Sequence, residues 1–197
     1  MLDYTAKMRE VIEDICRRHP AFRHIDVDRI IVCFSQTRRA GDHGTQASLM
    51  PLRFQAGARE TTVDGVRWRM PQVVLDGTEM LYLLHLYLPR FCDRALEEKL
   101  TTLCHELYHV NPEFNGDLRR IPGQKWQHGG SRKQYDELMR RMAAKYLAGN
   151  PPKELLDFLA LDFDGLRRKH GQISGLRMRR PRPIRVRTDQ EAGPQDQ

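Results

Sequence analysis

The sequence predicts an α+β protein, and three observations predict it. An amphipathic helical pattern opens the chain over Asp3 to Arg18, β-rich runs fill the stretch from Asp26 to Leu88, and helical patterns dominate from Leu96 to Leu161. A block of strands bounded by helices is the element order of a helix-and-sheet domain with segregated layers. The 197 residues suffice for one domain with a real core. We expect that domain over residues 1–175, and a basic, Pro/Arg-rich, disordered tail over 176–197.

The first helix carries Met8, Val11, Ile12 and Ile15 as its apolar stripe, and His19-Pro20 ends it. Ile25, Val27, Ile30, Ile31, Val32 and Phe34 then form a β-rich run expected to be a central strand. Leu49 to Phe54 and Thr61 to Met70 read as further strands, with Asp64-Gly65 as a hairpin turn between Val63 and Val66. Val73-Val74-Leu75 makes a short strand before Asp76-Gly77. Met80 to Leu88 is apolar throughout and reads as a strand closed by Pro89. His43 reads as a loop residue, and His85 as a satisfied core or sheet-edge residue.

Leu96, Leu100, Leu103, Leu107 and Val110 mark the next helix, with Asp93 as its expected cap and Glu97 and Glu98 suited to its early turns. Asn111-Pro112 ends it. Ser131 to Gln134 has the form of a capping box, opening a helix with Tyr135, Leu138, Met139, Met142 and Tyr146 on one side. Gly149-Asn150-Pro151-Pro152 stops that helix, and a short one around Glu154 to Leu161 follows.

The third helical pattern contains His105-Glu106-Leu107-Tyr108-His109. On a helix, residues four apart lie about 6 Å along the axis and roughly 40° around it, so two imidazoles can reach one metal ion. Glu106 is turned roughly 100° from His105, which suits a general base acting on water at the metal. His105 and His109 project away from the leucine stripe, toward solvent or a cleft. A third ligand must come from elsewhere in the chain, and the downstream candidates are Glu113, Asp117, His128, Asp136 and Glu137. His128 leads, because imidazole suits zinc and Gly129-Gly130 lets the backbone turn tightly after it. Asp117 is the runner-up. Tyr135 is a candidate oxyanion donor.

Cys16, Cys33, Cys92 and Cys104 form no C-x-x-C pair, which excludes a zinc ribbon and fits reduced, buried thiols. Apolar content of 40% and charged content of 30% suit a globular protein. No run approaches the roughly 18 apolar residues of a membrane span. Met1 to Thr5 lacks signal-peptide order, so a cytoplasmic address is expected. The formal charge of +7 is weighted toward the C-terminal segment, where Arg177, Arg179, Arg180 and Arg182 are candidate nucleic-acid contacts.

Several stretches taken together resemble a phage metallopeptidase family that is similar to SprT-like and Spartan zinc proteases. They are Leu81-Tyr82 through Phe91, Glu97 to Leu100, His105 to His109, Gly116 to Arg120, His128 to Ser131, and Tyr135-Asp136. The resemblance covers most of residues 25 to 147. It implies a zincin-like α+β fold, with a mixed or antiparallel sheet packed on the active-site helix and flanking helices. It also implies Zn2+ held by His105, His109 and His128, Glu106 as base, and a protein or peptide substrate. The C-terminal zinc ribbon of SprT-like proteins is absent. The metzincin pattern is excluded by Pro112 and Asn115, where it needs Gly and His. The expected activity is therefore zinc-dependent peptide hydrolysis. A non-catalytic zincin-like binding protein and a nucleic-acid-associated protein acting through its tail are the alternatives.

Overall fold

A computed structural model describes residues 1–37, 44–120 and 132–186. The architecture is α+β. The elements in chain order are β1 (Leu2–Asp3), α1 (Tyr4–Arg18), β2 (Ile30–Gln36), β3 (Ala47–Pro51), β4 (Glu60–Val63), β5 (Val66–Arg69), β6 (Val74–Leu75), β7 (Thr78–Glu79) and β8 (Tyr82–Leu88). They continue with α2 (Leu96–Tyr108), α3 (Arg132–Ala148), α4 (Lys153–Leu156), α5 (Phe163–His170), β9 (Ile173–Ser174) and β10 (Ile184–Arg185). No helix among the described residues is long and apolar enough to cross a membrane.

The helix α1 starts where Asp3 accepts the Ala6 N–H at 2.9 Å. Its predicted stripe of Met8, Val11, Ile12 and Ile15 is fully buried. The principal sheet has three strands in the order β2-β8-β3, with β2 parallel and β3 antiparallel to β8. The central strand is thus β8, whose residues are nearly all buried. The Ile30 run, expected to be central, lies at an edge, and Val27–Arg29 is a 3-10 turn before it. Its apolar run fits an edge position because the outer side is covered: the Phe34 N–H donates to the Leu176 carbonyl at 3.0 Å.

One face of this sheet joins α1, α2 and α3 in the main core through Ile30, Val32, Tyr82, Leu84 and Leu86. The other face carries a smaller cluster of Ile31, Cys33, Leu52, Met80 and Leu83. The expected hairpin at Asp64-Gly65 joins β4 to β5, with φ of 50° and 76° at the two turn residues.

Asp93 does not cap α2. Its carboxylate instead accepts the Phe163 N–H at 3.0 Å, and Glu98 reaches back to the Ala95 N–H at 3.2 Å. The expected helix over Glu154 to Leu161 is shorter, as α4, and the sequence reading missed α5, which Asp162 caps at the Gly165 N–H. Ser131, the expected cap of α3, lies outside the described residues, as does His43.

The tail expectation is corrected for residues 176–186. Gly175, at φ 147°, crosses the start of α1 so closely that a Cβ there would sit 2.7 Å from Thr5 Oγ1. The Leu176 N–H then donates to Thr5 Oγ1 at 2.9 Å, Met178 packs on the smaller cluster, and Ile184 and Arg185 pair with Arg69 and Trp68. Low hydrophobicity predicted disorder, but this strap is held largely by backbone pairing to β2 and β5, which composition does not register. Residues 187–197 lie outside the described residues.

Candidate active site

The motif lies in the last turn of α2, with His109 as the C-cap in helical conformation at φ −72° and ψ −17°. The helical offset is preserved, and the two imidazoles meet edge-on at 78°, with centroids 4.8 Å apart. A metal bound by two imidazoles at about 2.0–2.1 Å in tetrahedral array sets their centroids about 5 Å apart, a spacing this pair matches. His105 is half-buried and His109 is buried. Among the described residues, Tyr135 of α3 packs against both rings. Its own ring lies 5.1 Å from that of His105 and 6.2 Å from that of His109.

Glu106 turns from the histidine pair toward the sheet edge, as the 100° helical step requires. Its side chain is buried, and Oε2 accepts the Leu49 N–H of β3 at 2.7 Å. Burial pushes its carboxyl up to about 7, while the Leu49 amide and the charge of Arg180 pull it down. Thr102, one turn earlier, donates to the Gln46 side chain at 3.1 Å and ties the helix to the approach of β3.

The segment after α2 is fixed from behind. The Arg119 N–H donates to the His109 carbonyl and its Nε to the Tyr108 carbonyl, both at 2.7 Å, with the guanidinium 4.2 Å over the Tyr108 ring. Tyr82 on β8 donates to the Asp117 carbonyl at 2.8 Å and accepts the Gly116 N–H at 3.1 Å. Gly116 is required there, because at φ 86° a Cβ would lie 2.5 Å from Arg53 Cγ.

Among the other candidate ligands, Asp117 is buried and already committed. It accepts from Arg120 Nη2 at 3.1 Å, from the Ala56 N–H at 3.0 Å and from the Leu118 N–H at 2.8 Å. Glu113 accepts from the Asn115 amide, and Glu137 pairs with Arg140. Among the described residues, no group of three His, Cys, Asp or Glu side chains could hold a metal. His128 lies outside the described residues. Burial raises the Tyr135 hydroxyl well above its usual pKa, as does the charge of Glu106. His85 is buried in the sheet, with Nε2 2.7 Å from Ser35 Oγ.

The four arginines named as nucleic-acid contacts separate. Arg177 stacks over Phe34 at 5.0 Å, and Arg180 donates to Ser48 and Tyr87. Arg179 and Arg182 are exposed. Sequence reasoning missed the Leu49 amide, Arg119 and the approach of Arg180 to Glu106. The first is a backbone group, and the other two depend on long-range contacts with no local signal.

No family model, curated protein or solved structure matches the chain.

Proposed function

We propose that this chain is a zinc-dependent metallopeptidase of the zincin type, acting on protein or peptide substrates. The observation that carries the proposal is the pair of imidazoles 4.8 Å apart with the Glu106 carboxylate buried beside them at a strand edge. His105, His109 and His128 are the residues that would hold the zinc. Bound zinc supplies Lewis acidity, polarising a carbonyl and lowering the pKa of water to about 7.

The remaining work falls to the protein. Glu106 accepts a proton from the attacking water and returns it to the leaving nitrogen as the peptide bond breaks. The Leu49 amide holds the carboxylate in place for both transfers. Tyr135 covers the imidazole pair and is the candidate donor to the oxyanion. The strand β3 offers a place for the substrate backbone. The Tyr87 N–H bonds the Gln46 carbonyl and the Leu52 N–H bonds the Leu81 carbonyl, so the Ala47 N–H and the carbonyls of Ala47, Leu49 and Pro51 turn away from β8, beside the Leu49 N–H that Glu106 holds. That outward edge, paired with no other strand among the described residues, runs past Glu106. An extended peptide can add to it as a further strand.

The test is hydrolysis of an unfolded protein by the zinc-loaded chain and by its Glu106→Gln variant, with metal content measured on both. Cleavage by the first and not the second, at equal zinc, supports the reading. Equal behaviour of the two overturns it.

A further inference from the structure

The C-terminal strap delivers one charged group to the substrate edge. From Leu176 at the outer side of β2 it crosses the smaller-cluster face of the sheet through Met178, and at Arg180 it reaches the opposite edge. There the guanidinium donates to Ser48 on β3 and to Tyr87 on β8, whose hydroxyls lie 3.3 Å apart. Ser48 pairs with His85, two residues from Tyr87, so both hydroxyls sit on the same face of the sheet. Both anchoring groups are neutral, and among the described residues no carboxylate forms an ion pair with Arg180. An exposed guanidinium is therefore held beside an open strand edge, with no ion-paired carboxylate among the described residues.

We propose that Arg180 is a specificity-determining residue that binds a carboxylate of an extended peptide lying along β3. This rests on the peptidase reading above. A peptide paired on that edge alternates its side chains between the two faces, and those on the Ser48 face pass the guanidinium. Arginine forms short, charge-assisted and often bidentate bonds to carboxylates, and two hydroxyls already orient this one. The carboxylate can be an acidic side chain or the peptide's own C-terminus.

The experiment uses the full-length, zinc-loaded Glu106→Gln protein, which binds without cutting, and short fluorescent peptides. A single Glu or Gln is walked along each peptide, with the C-terminus free or amidated. One position is expected at which Glu binds about ten-fold more tightly than Gln, the worth of one hydrogen bond to a charged group. Adding Arg180→Ala should bring that ratio to about one. Arg180→Lys should keep part of it, and Arg180→Glu should turn the preference toward Lys, which a merely loosened strap would not do. A preference that follows the free over the amidated terminus assigns the carboxylate to the chain end instead of a side chain. Equal affinity at every position and terminus overturns the proposal but leaves the peptidase reading standing. Failure of this protein to bind any peptide, together with no cleavage by the zinc-loaded chain that retains Glu106, overturns both. Displacement of the Glu peptide by a single-stranded oligonucleotide, dependent on Arg180, would assign the residue to nucleic acid and overturn the proposal as well.

Discussion

The two halves of α2 each bury an ionisable side chain, seven residues apart, and treat it in opposite ways. In the first half Lys99 is almost wholly buried, and its ammonium donates to the carbonyls of Leu159 and Leu161 at 2.7 and 2.8 Å. Burial lowers its pKa, and the neighbouring Cys92, Asp93 and Asp162 offset part of that. In the second half Glu106 is nearly as buried, but among the described residues it has one hydrogen-bond partner, the Leu49 amide. A buried charge that braces a fold is surrounded by partners, because each missing one costs desolvation energy. A buried carboxylate with one partner retains accepting capacity, and proton transfer needs that capacity. On the proposed function, the helix is a strut at its start and a working surface at its end.

The largest effect that would break this comparison is on activity. Glu106→Gln should lower kcat of the zinc-loaded protein by about 10³-fold, within the range for a general base, while zinc content and melting temperature hold. Loss of zinc with activity would instead make Glu106 part of the metal's support. At the other end, Lys99→Ala should destabilise the fold by about 3 kcal/mol, since it orphans two buried carbonyls and opens a cavity. Urea melts would register this. A change under about 0.5 kcal/mol, the size of an ordinary surface substitution, would show that Lys99 is no brace.

The two halves should also answer pH with opposite signs. In the metal-free protein Glu106 titrates at about 7, against 4.5 unperturbed. Across that window the native state holds a proton that the unfolded chain has released, so this contribution is full below pH 4.5 and is lost as pH rises through about 7. Lys99 is shifted the other way, below 10.5. As pH rises from its lowered value toward 10.5, the unfolded chain holds the extra proton and stability increases. Stability-versus-pH curves of Glu106→Gln and Lys99→Met, each flattened in its own window alone, would bear out both signs.

Much of this helix was legible in the sequence because its information is local. The apolar stripe, the His-Glu-x-x-His spacing and the 100° offset of Glu106 follow from helical period, as do the stripe of α1 and the Asp64-Gly65 turn. What sequence could not show depends on partners distant in the chain. Asp93 looked like a cap until Phe163 claimed it. The Ile30 run looked central because Leu176 covers its edge from across the sequence. The strap read as disordered because its side chains are polar while its backbone is paired. Arg180 reads as one arginine in a basic run, and only the path of the strap separates it from Arg179.

The smallest effect concerns Tyr135, where α3 meets the second half of α2. Its ring stands edge-on to His105 at 5.1 Å and to Tyr108 at 5.9 Å, so cover alone would justify its place. Tyr135→Phe keeps the ring and removes the hydroxyl, which separates the two roles. If the hydroxyl donates to the oxyanion, kcat should fall by about ten-fold, the low end for losing such a donor, with KM unchanged. A donor used only in the transition state contributes nothing to ground-state binding, which is why the effect must fall on kcat. Melting temperature should hold, because the aromatic contacts remain. An unchanged kcat would leave Tyr135 as a cover on the imidazole pair and the oxyanion's second donor to be sought on another element.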